Sequence, residues 1–242
     1  MIEKGREKSL YQDYLEIISL FRSYLKRKTK TEKNQGDEKQ GSNRGEENSQ
    51  VLLENLYHSI ENCQKCSLYK IRNNLVFGAG NPDAELMLIG EAPGREEDLQ
   101  GKPFVGAAGR LLTEALGRVG LSRADVYIAN ILKCRPSGNR NPQPEEIKVC
   151  FPYLERQIEI IKPKLICTMG NFASQLLLNT SQGITRIRGK IQWYKENTSV
   201  IPIFHPAACI YKPGWERDFL EDLKMVRDEL KRRNNSKNNL VV

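Results

Sequence analysis

Glu91, Asn130 and His205 each stand at the end of an apolar run or just past it, and four cysteines fall into two separated pairs, Cys63-x-x-Cys66 and Cys134-x(15)-Cys150. A carboxylate, an amide and an imidazole gathered in one crevice can hold a substrate by directional hydrogen bonds and can place or withhold protons. Two thiol pairs can make a four-sulfur site. Soft sulfur ligands suit structural zinc and an iron–sulfur cluster alike, so spacing leaves both open. Around Glu91 the chain reads ELMLIGEAPGREEDLQGKPFVGAAG (85–109), where an apolar run breaks at Gly90, Pro93 and Gly94 into a loop that also holds Glu96, Glu97 and Asp98. Carboxylates directly past a buried parallel strand lie at the edge where open α/β sheets place their ligand crevice. By itself the same stretch reads equally well as a solvated turn leading into an acidic helix start. Cys167, inside an apolar run, and Cys209, after a His-Pro-Ala-Ala turn, read as packing residues.

These residues need a scaffold that brings them together. Four apolar runs are each closed by glycine or polar residues and followed by a helical pattern: LMLIG before Glu91, VYIAN ending at Asn130, KLICTMG ending at Gly170, and VIPIFHP containing His205. The intervening periodicity predicts helices over 108–119, 144–161, 171–178 and 215–232. Strand and helix in alternation imply a parallel sheet with helices on both faces, which collects Glu91, Asn130 and His205 at one edge. Ahead of this block, VLLENLYHSIEN reads as a short helix and the stretch ending FGAGNPDA as a hairpin. Further upstream, Leu10, Tyr14, Ile17, Ile18, Phe21 and Leu25 line one face of an amphipathic helix, with docking on the domain or on a protein partner both open. From Lys30 to Gln50 there is no aliphatic or aromatic side chain, so this stretch is expected to be a disordered linker. The expected organisation is therefore a helix at 1–28, a polar linker at 29–50, a catalytic-sized domain at 51–233 and a flexible tail at 234–242.

The 242 residues carry a formal net charge of +8, which biases the chain towards polyanionic partners. No run approaches membrane-spanning length, and MIEKGREKSL is charged where a signal peptide would be apolar, so no membrane role is expected and a reducing cytoplasm is the default. In that setting cysteine pairs read as metal ligands before they read as disulfides.

GEAPGREED with GKPFVGAAG, IANILKCRP, the two cysteine pairs and FHPAA, in that order over about residues 55–230, together resemble the family 4 uracil-DNA glycosylases, the iron–sulfur branch of that superfamily. The resemblance implies an α/β fold: a three-layer α/β/α domain with a central four-stranded, mainly parallel sheet. It implies a structural 4Fe-4S cluster on Cys63, Cys66, Cys134 and Cys150. It also implies base excision repair of DNA containing uracil, by hydrolysis of the N-glycosidic bond to leave an abasic site, in a cytoplasmic, nucleoid-associated monomer.

Residue by residue, Phe104 matches the ring that stacks on the flipped base and Asn130 the amide that reads it. His205 matches the donor to the keto oxygen of the departing base. Glu91 is the first candidate and Glu97 the second for the carboxylate that supports the sugar cation and positions water. Ala92 lends backbone groups to the pocket and Asn139 lies near the base. Lys133, Arg135, Arg140, Arg186, Arg188, Lys190 and Lys212 are expected to meet phosphates, and Ile210 stands in the place of an apolar wedge. Tyr211 departs from the family, which carries arginine there. The histidine-bearing basic loop of the covalently trapping branch is absent, so turnover without an adduct is expected. A non-catalytic metal-stapled nucleic-acid module is the rival reading, though it has no need of Glu91, Phe104, Asn130 and His205 together. A nucleotide-binding oxidoreductase is disfavoured because neither GAGN nor GEAPG gives the spaced three-glycine fingerprint.

Overall fold

The computed structural model describes residues 48–195 and 198–238. The expected N-terminal helix and most of the polar linker lie outside the described residues. The linker ends earlier than expected: Asn48 caps helix α1 (Ser49–Ile60), its side chain accepting the Gln50 N–H at 2.9 Å. Strands β2 (Leu86–Gly90), β3 (Val126–Asn130), β4 (Leu165–Met169) and β6 (Thr198–Ile203) form the expected parallel centre. Every residue of β2, β3 and β4 is buried, the signature of strands covered on both faces.

The sheet is wider than four strands. β1 (Ala79–Gly80) and β5 (Gln192–Tyr194) add antiparallel edges, giving the order β1-β3-β2-β4-β6-β5. The hairpin expected at FGAGNPDA does not form, because Ala79 and Gly80 pair with Ile128 and Tyr127 of β3 rather than with β2. Strands of two and three residues show no hydrophobic alternation for a sequence to reveal.

Alternation does sort the central strands into two cores. Met87, Ile89, Tyr127, Ala129, Ile166 and Val200 face α1, α4 (Pro144–Ile161) and α5 (Asn171–Leu178). Leu86, Leu88, Val126, Ile128, Leu165, Cys167, Ile201 and Ile203 face α3 (Ala107–Arg118) and the long C-terminal helix. That is the three-layer α/β/α arrangement, with each layer supplied by side chains two residues apart. The C-terminal helix α8 (Trp215–Asn238) runs six residues past its expected end at Arg232, into the stretch expected to be a flexible tail. Asn234 ties that extension down by donating to Glu85 Oε2 at 2.7 Å and accepting from Lys164 Nζ at 2.5 Å. The shorter helices are α2 (Arg95–Gln100), α6 (Ile184–Ile187) and α7 (Pro206–Tyr211), of which α2 and α7 flank the site edge.

Register fixes the edge. Gly90 pairs with Asn130 and Met169 with Ile203 in the parallel ladders, so Gly90, Asn130 and His205, two residues beyond Ile203, arrive at the same end of the sheet.

Candidate active site

A cavity of about 310 Å³ opens at that edge, and all the residues expected around a base border it: Glu91, Ala92, Glu97, Phe104, Asn130, Asn139 and His205. Asn130 is 2% exposed, and its Oδ1 is the one buried side-chain oxygen or nitrogen among the described residues that lacks a hydrogen-bond partner. Native interiors rarely leave such an acceptor unpaired, because its desolvation costs about 1–3 kcal/mol. Gly90 makes room for it. A Cβ on Gly90 would lie 2.4 Å from Asn130 Oδ1 and 2.7 Å from Phe104 Cζ, so the position next to the amide has to be bare.

His205 caps α7, its Nδ1 accepting the Ala207 N–H at 3.1 Å. An imidazole whose Nδ1 accepts carries its proton on Nε2, so the ring has one donor left to offer the cavity. Burial pushes the His205 pKa down to about 4, with the Glu97 charge opposing more weakly, and the ring is neutral at pH 7. Its centroid lies 5.6 Å from that of Phe104 at 35°. Glu91 is driven the other way: burial raises its pKa to about 7.

The second carboxylate has a different occupation. Glu97 accepts the Gly94 N–H on Oε2 at 3.1 Å, and the Val105 and Gly106 N–H groups on Oε1 at 2.9 and 2.8 Å. It ties the loop after β2 to the start of α3. Three backbone donors hold both of its oxygens, so it borders the cavity as a brace, whereas Glu91 has burial as its dominant environment.

The model of the Uracil DNA glycosylase superfamily matches residues 77–224. The chain belongs to that superfamily. Within it, a Type-4 uracil-DNA glycosylase of Archaeoglobus fulgidus is 47% identical over 182 residues, covering 72% of this chain and 91% of the relative. Type-4 uracil-DNA glycosylases of Saccharolobus solfataricus (45%, covering 74% and 86%) and Sulfurisphaera tokodaii (44%, covering 73% and 84%) are similar over the same extent.

In this uracil-DNA glycosylase fold the two cysteine pairs converge. Cys63, Cys66, Cys134 and Cys150 border one small cavity between α1, the segment after β3 and α4, while Cys167 and Cys209 are buried elsewhere as packing groups. Among the described residues no group of three or more His, Cys, Asp or Glu side chains is drawn up as a single-ion site. The donor set nonetheless suits a thiolate-bound group. Arg72 Nη1 donates to Cys134 Sγ at 3.3 Å and the Lys133 N–H to Cys150 Sγ at 3.2 Å, with Tyr153 Oη 3.7 Å from Cys63 Sγ. N–H donors and cations around sulfur stabilise the thiolate form that ligation requires.

Several cations expected on DNA are engaged internally. Lys133 is 1% exposed, its Nζ donating to the Asn130 carbonyl at 2.9 Å and to Gln157 Oε1 at 2.6 Å. It cannot reach a phosphate, and instead supports Asn130 from behind. Arg188 is likewise withdrawn: its Nε donates to Asp222 Oδ2 at 2.8 Å, Nη2 donates to the Asp218 carbonyl at 2.7 Å, and the guanidinium lies 4.9 Å from the Phe204 ring. Arg140 borders the cavity but grips buried Glu146 through two bonds of 3.0 and 2.6 Å. Arg135 Nε holds Asn139 Oδ1 at 2.8 Å, shaping the turn that carries Asn139. Arg186 and Lys190 are exposed, Lys212 lies 4.3 Å over the Trp215 ring, and Ile210 and Tyr211 project into solvent at 44% and 85% exposure.

Sequence reasoning gave no sign that Gly90 must be bare, and missed two contributors outright: the Lys133–Gln157 support behind Asn130, and Arg123, which donates to the carbonyls of Pro103 and Phe104. The local signal at Gly90 was of a strand end, as the last residue of an apolar run ahead of the acidic loop.

Proposed function

We propose that the chain excises uracil from DNA by hydrolysing the N-glycosidic bond of deoxyuridine, leaving an abasic site. The unpaired Asn130 Oδ1 beside an aromatic ring and an imidazole Nε2–H carries this reading. A base inside a duplex is out of reach, so the nucleotide must be flipped into the cavity. There Phe104 supplies a flat apolar face. Uracil N3–H is a donor flanked by keto oxygens. It satisfies Asn130 Oδ1, and the Asn130 amide N–H meets O4. Cytosine reverses both partners and leaves two buried groups unpaired at about 1–3 kcal/mol each.

As the bond from C1′ to N1 breaks, its electron pair stays with the base and negative charge spreads to O2. The neutral Nε2–H of His205 stabilises that charge without first having to lose a proton. The sugar becomes cationic at C1′, water attacks there and passes a proton to ionised Glu91, and the base departs as the uracil anion, which takes a proton from solvent. Glu91 in its ionised form supports the cation and orients the water. Exposed Arg186, Lys190 and Lys212 on a chain of net charge +8 supply phosphate attraction that salt weakens, and the exposed side chains of Ile210 and Tyr211 fill the vacated stack.

The four cysteines with Arg72 and Lys133 suit a 4Fe-4S cluster, which when bound would order the segment between Cys134 and Cys150. A broad visible absorption band on the purified protein, lost together with iron in C63S, tests that assignment. The function is tested on an oligonucleotide with a single uracil, treated with alkali after incubation. Wild type should give breaks at the uracil, and N130A should reduce the rate at least about 100-fold. Binding at low salt without cleavage would overturn the enzymatic reading in favour of a nucleic-acid-binding module.

A further inference from the structure

Phe104 sits at φ +52°, in the left-handed region that a bulky aromatic residue rarely adopts. Such a conformation persists only when its surroundings over-determine it, and here side chains hold four consecutive backbone polar groups around the ring. Arg123, in the loop after α3, donates Nη2 to the Pro103 carbonyl at 2.8 Å and Nη1 to the Phe104 carbonyl at 3.0 Å. Glu97 takes the next two N–H groups, of Val105 and Gly106, on one oxygen. One guanidinium thus holds two consecutive carbonyls and one carboxylate two consecutive N–H groups, with Phe104 between them. The third constraint is steric. A Cβ on Gly109 would lie 1.9 Å from the Phe104 carbonyl oxygen, so the first turn of α3 can approach the peptide only because that residue is glycine.

We propose that Arg123 is a positioning residue for base recognition: by clamping the two carbonyls it fixes the ring of Phe104 flat against the base cavity. The inference rests on the reading of the cavity as a uracil site. Arg123 itself does not border the cavity and acts through the backbone of Phe104. A planar fork is needed, since two carbonyls must be met at once, and an ammonium on a flexible stem does not reproduce that geometry. With the clamp loosened, the peptide is free to leave the left-handed region and the ring to swing away from its place 5.6 Å from His205.

The test is a double-mutant cycle in single-turnover uracil excision, with R123K and R123M made in the wild-type and F104L backgrounds and each rate followed over hours. Melting temperature is measured for all the proteins to confirm folding. Loss of a residue acting through the Phe104 ring should lower the single-turnover rate about tenfold when Phe104 is present and less than twofold when it is already Leu. The same fold-loss in both backgrounds, or R123K and R123M indistinguishable from wild type, would overturn the proposal. Failure of wild type itself to release uracil would instead overturn the functional reading, so the two failures are separable.

Discussion

Replacing Glu91 with Gln separates its catalytic charge from its burial, and the two effects have opposite signs. Burial raises the Glu91 pKa from 4.5 to about 7. A raised carboxyl pKa means the folded state binds the proton more tightly than the unfolded chain. Stability is therefore fully present below the unfolded pKa and is lost as pH rises through the folded one. The full loss is at most about 3.5 kcal/mol, from roughly 2.5 units at about 1.4 kcal/mol each. His205, lowered from 6.5 to about 4, works in the opposite direction. There the unfolded chain binds more protons between pH 4 and 6.5, so stability rises with pH across that window. The two slopes nearly cancel over their overlap in wild type.

Subtracting wild type from E91Q at each pH removes the shared histidine contribution. The stability advantage of E91Q should grow by about 2 kcal/mol between pH 5.5 and 8.5, read as a shift in urea midpoint at unchanged m-value. Activity should move the other way. Wild type should show an acid limb centred near pH 7, its rate at pH 6 being about a tenth of the plateau, because only ionised Glu91 supports the sugar cation. E91Q should lose that limb and fall about 100-fold at pH 8. A stability difference flat across this range, with the acid limb retained in E91Q, would refute the assignment of Glu91 as the buried, titrating carboxylate.

G90A should keep the sheet but displace Asn130 and Phe104, both of which the new methyl would strike. About 1–3 kcal/mol of stability should be lost by urea unfolding and uracil excision should fall by at least about tenfold. K133M should cost about 2–4 kcal/mol, because the Asn130 carbonyl and Gln157 Oε1 lose a buried charged donor; an unchanged urea midpoint would contradict that support role. R188M should leave the salt dependence of DNA binding unchanged while lowering the melting temperature, because its partners are Asp218 and Asp222 rather than phosphates.

The parts of this molecule legible in its sequence are those set by contiguous residues. LMLIG, VYIAN and LICTM are apolar but for Asn130 and Thr168, so strands buried on both faces followed, and chain alternation then forced Glu91, Asn130 and His205 to one edge. The edge strands β1 and β5 were not legible, because two or three residues carry no period and their pairing is decided by the partner strand. Charge was the least legible feature. Lys133, Arg135, Arg140 and Arg188 look alike as cations near the site, yet two of them are withdrawn from DNA by partners that only the fold supplies. Arg188 meets Asp222 across 34 positions and Lys133 meets Gln157 across 24.

The same distinction divides the acidic loop. Glu91 and Glu97 are identical side chains six positions apart, and sequence offered both for the same role. The difference is the number of N–H groups that each meets: three backbone donors hold Glu97, among them two delivered from the start of α3 eight and nine residues away. Glu91 is left with burial as the dominant influence on its charge, and its pKa near 7 follows from that. A carboxylate already satisfied by the backbone gains little by facing a developing cation. One held by burial at the verge of ionisation has the most to gain when positive charge forms at C1′.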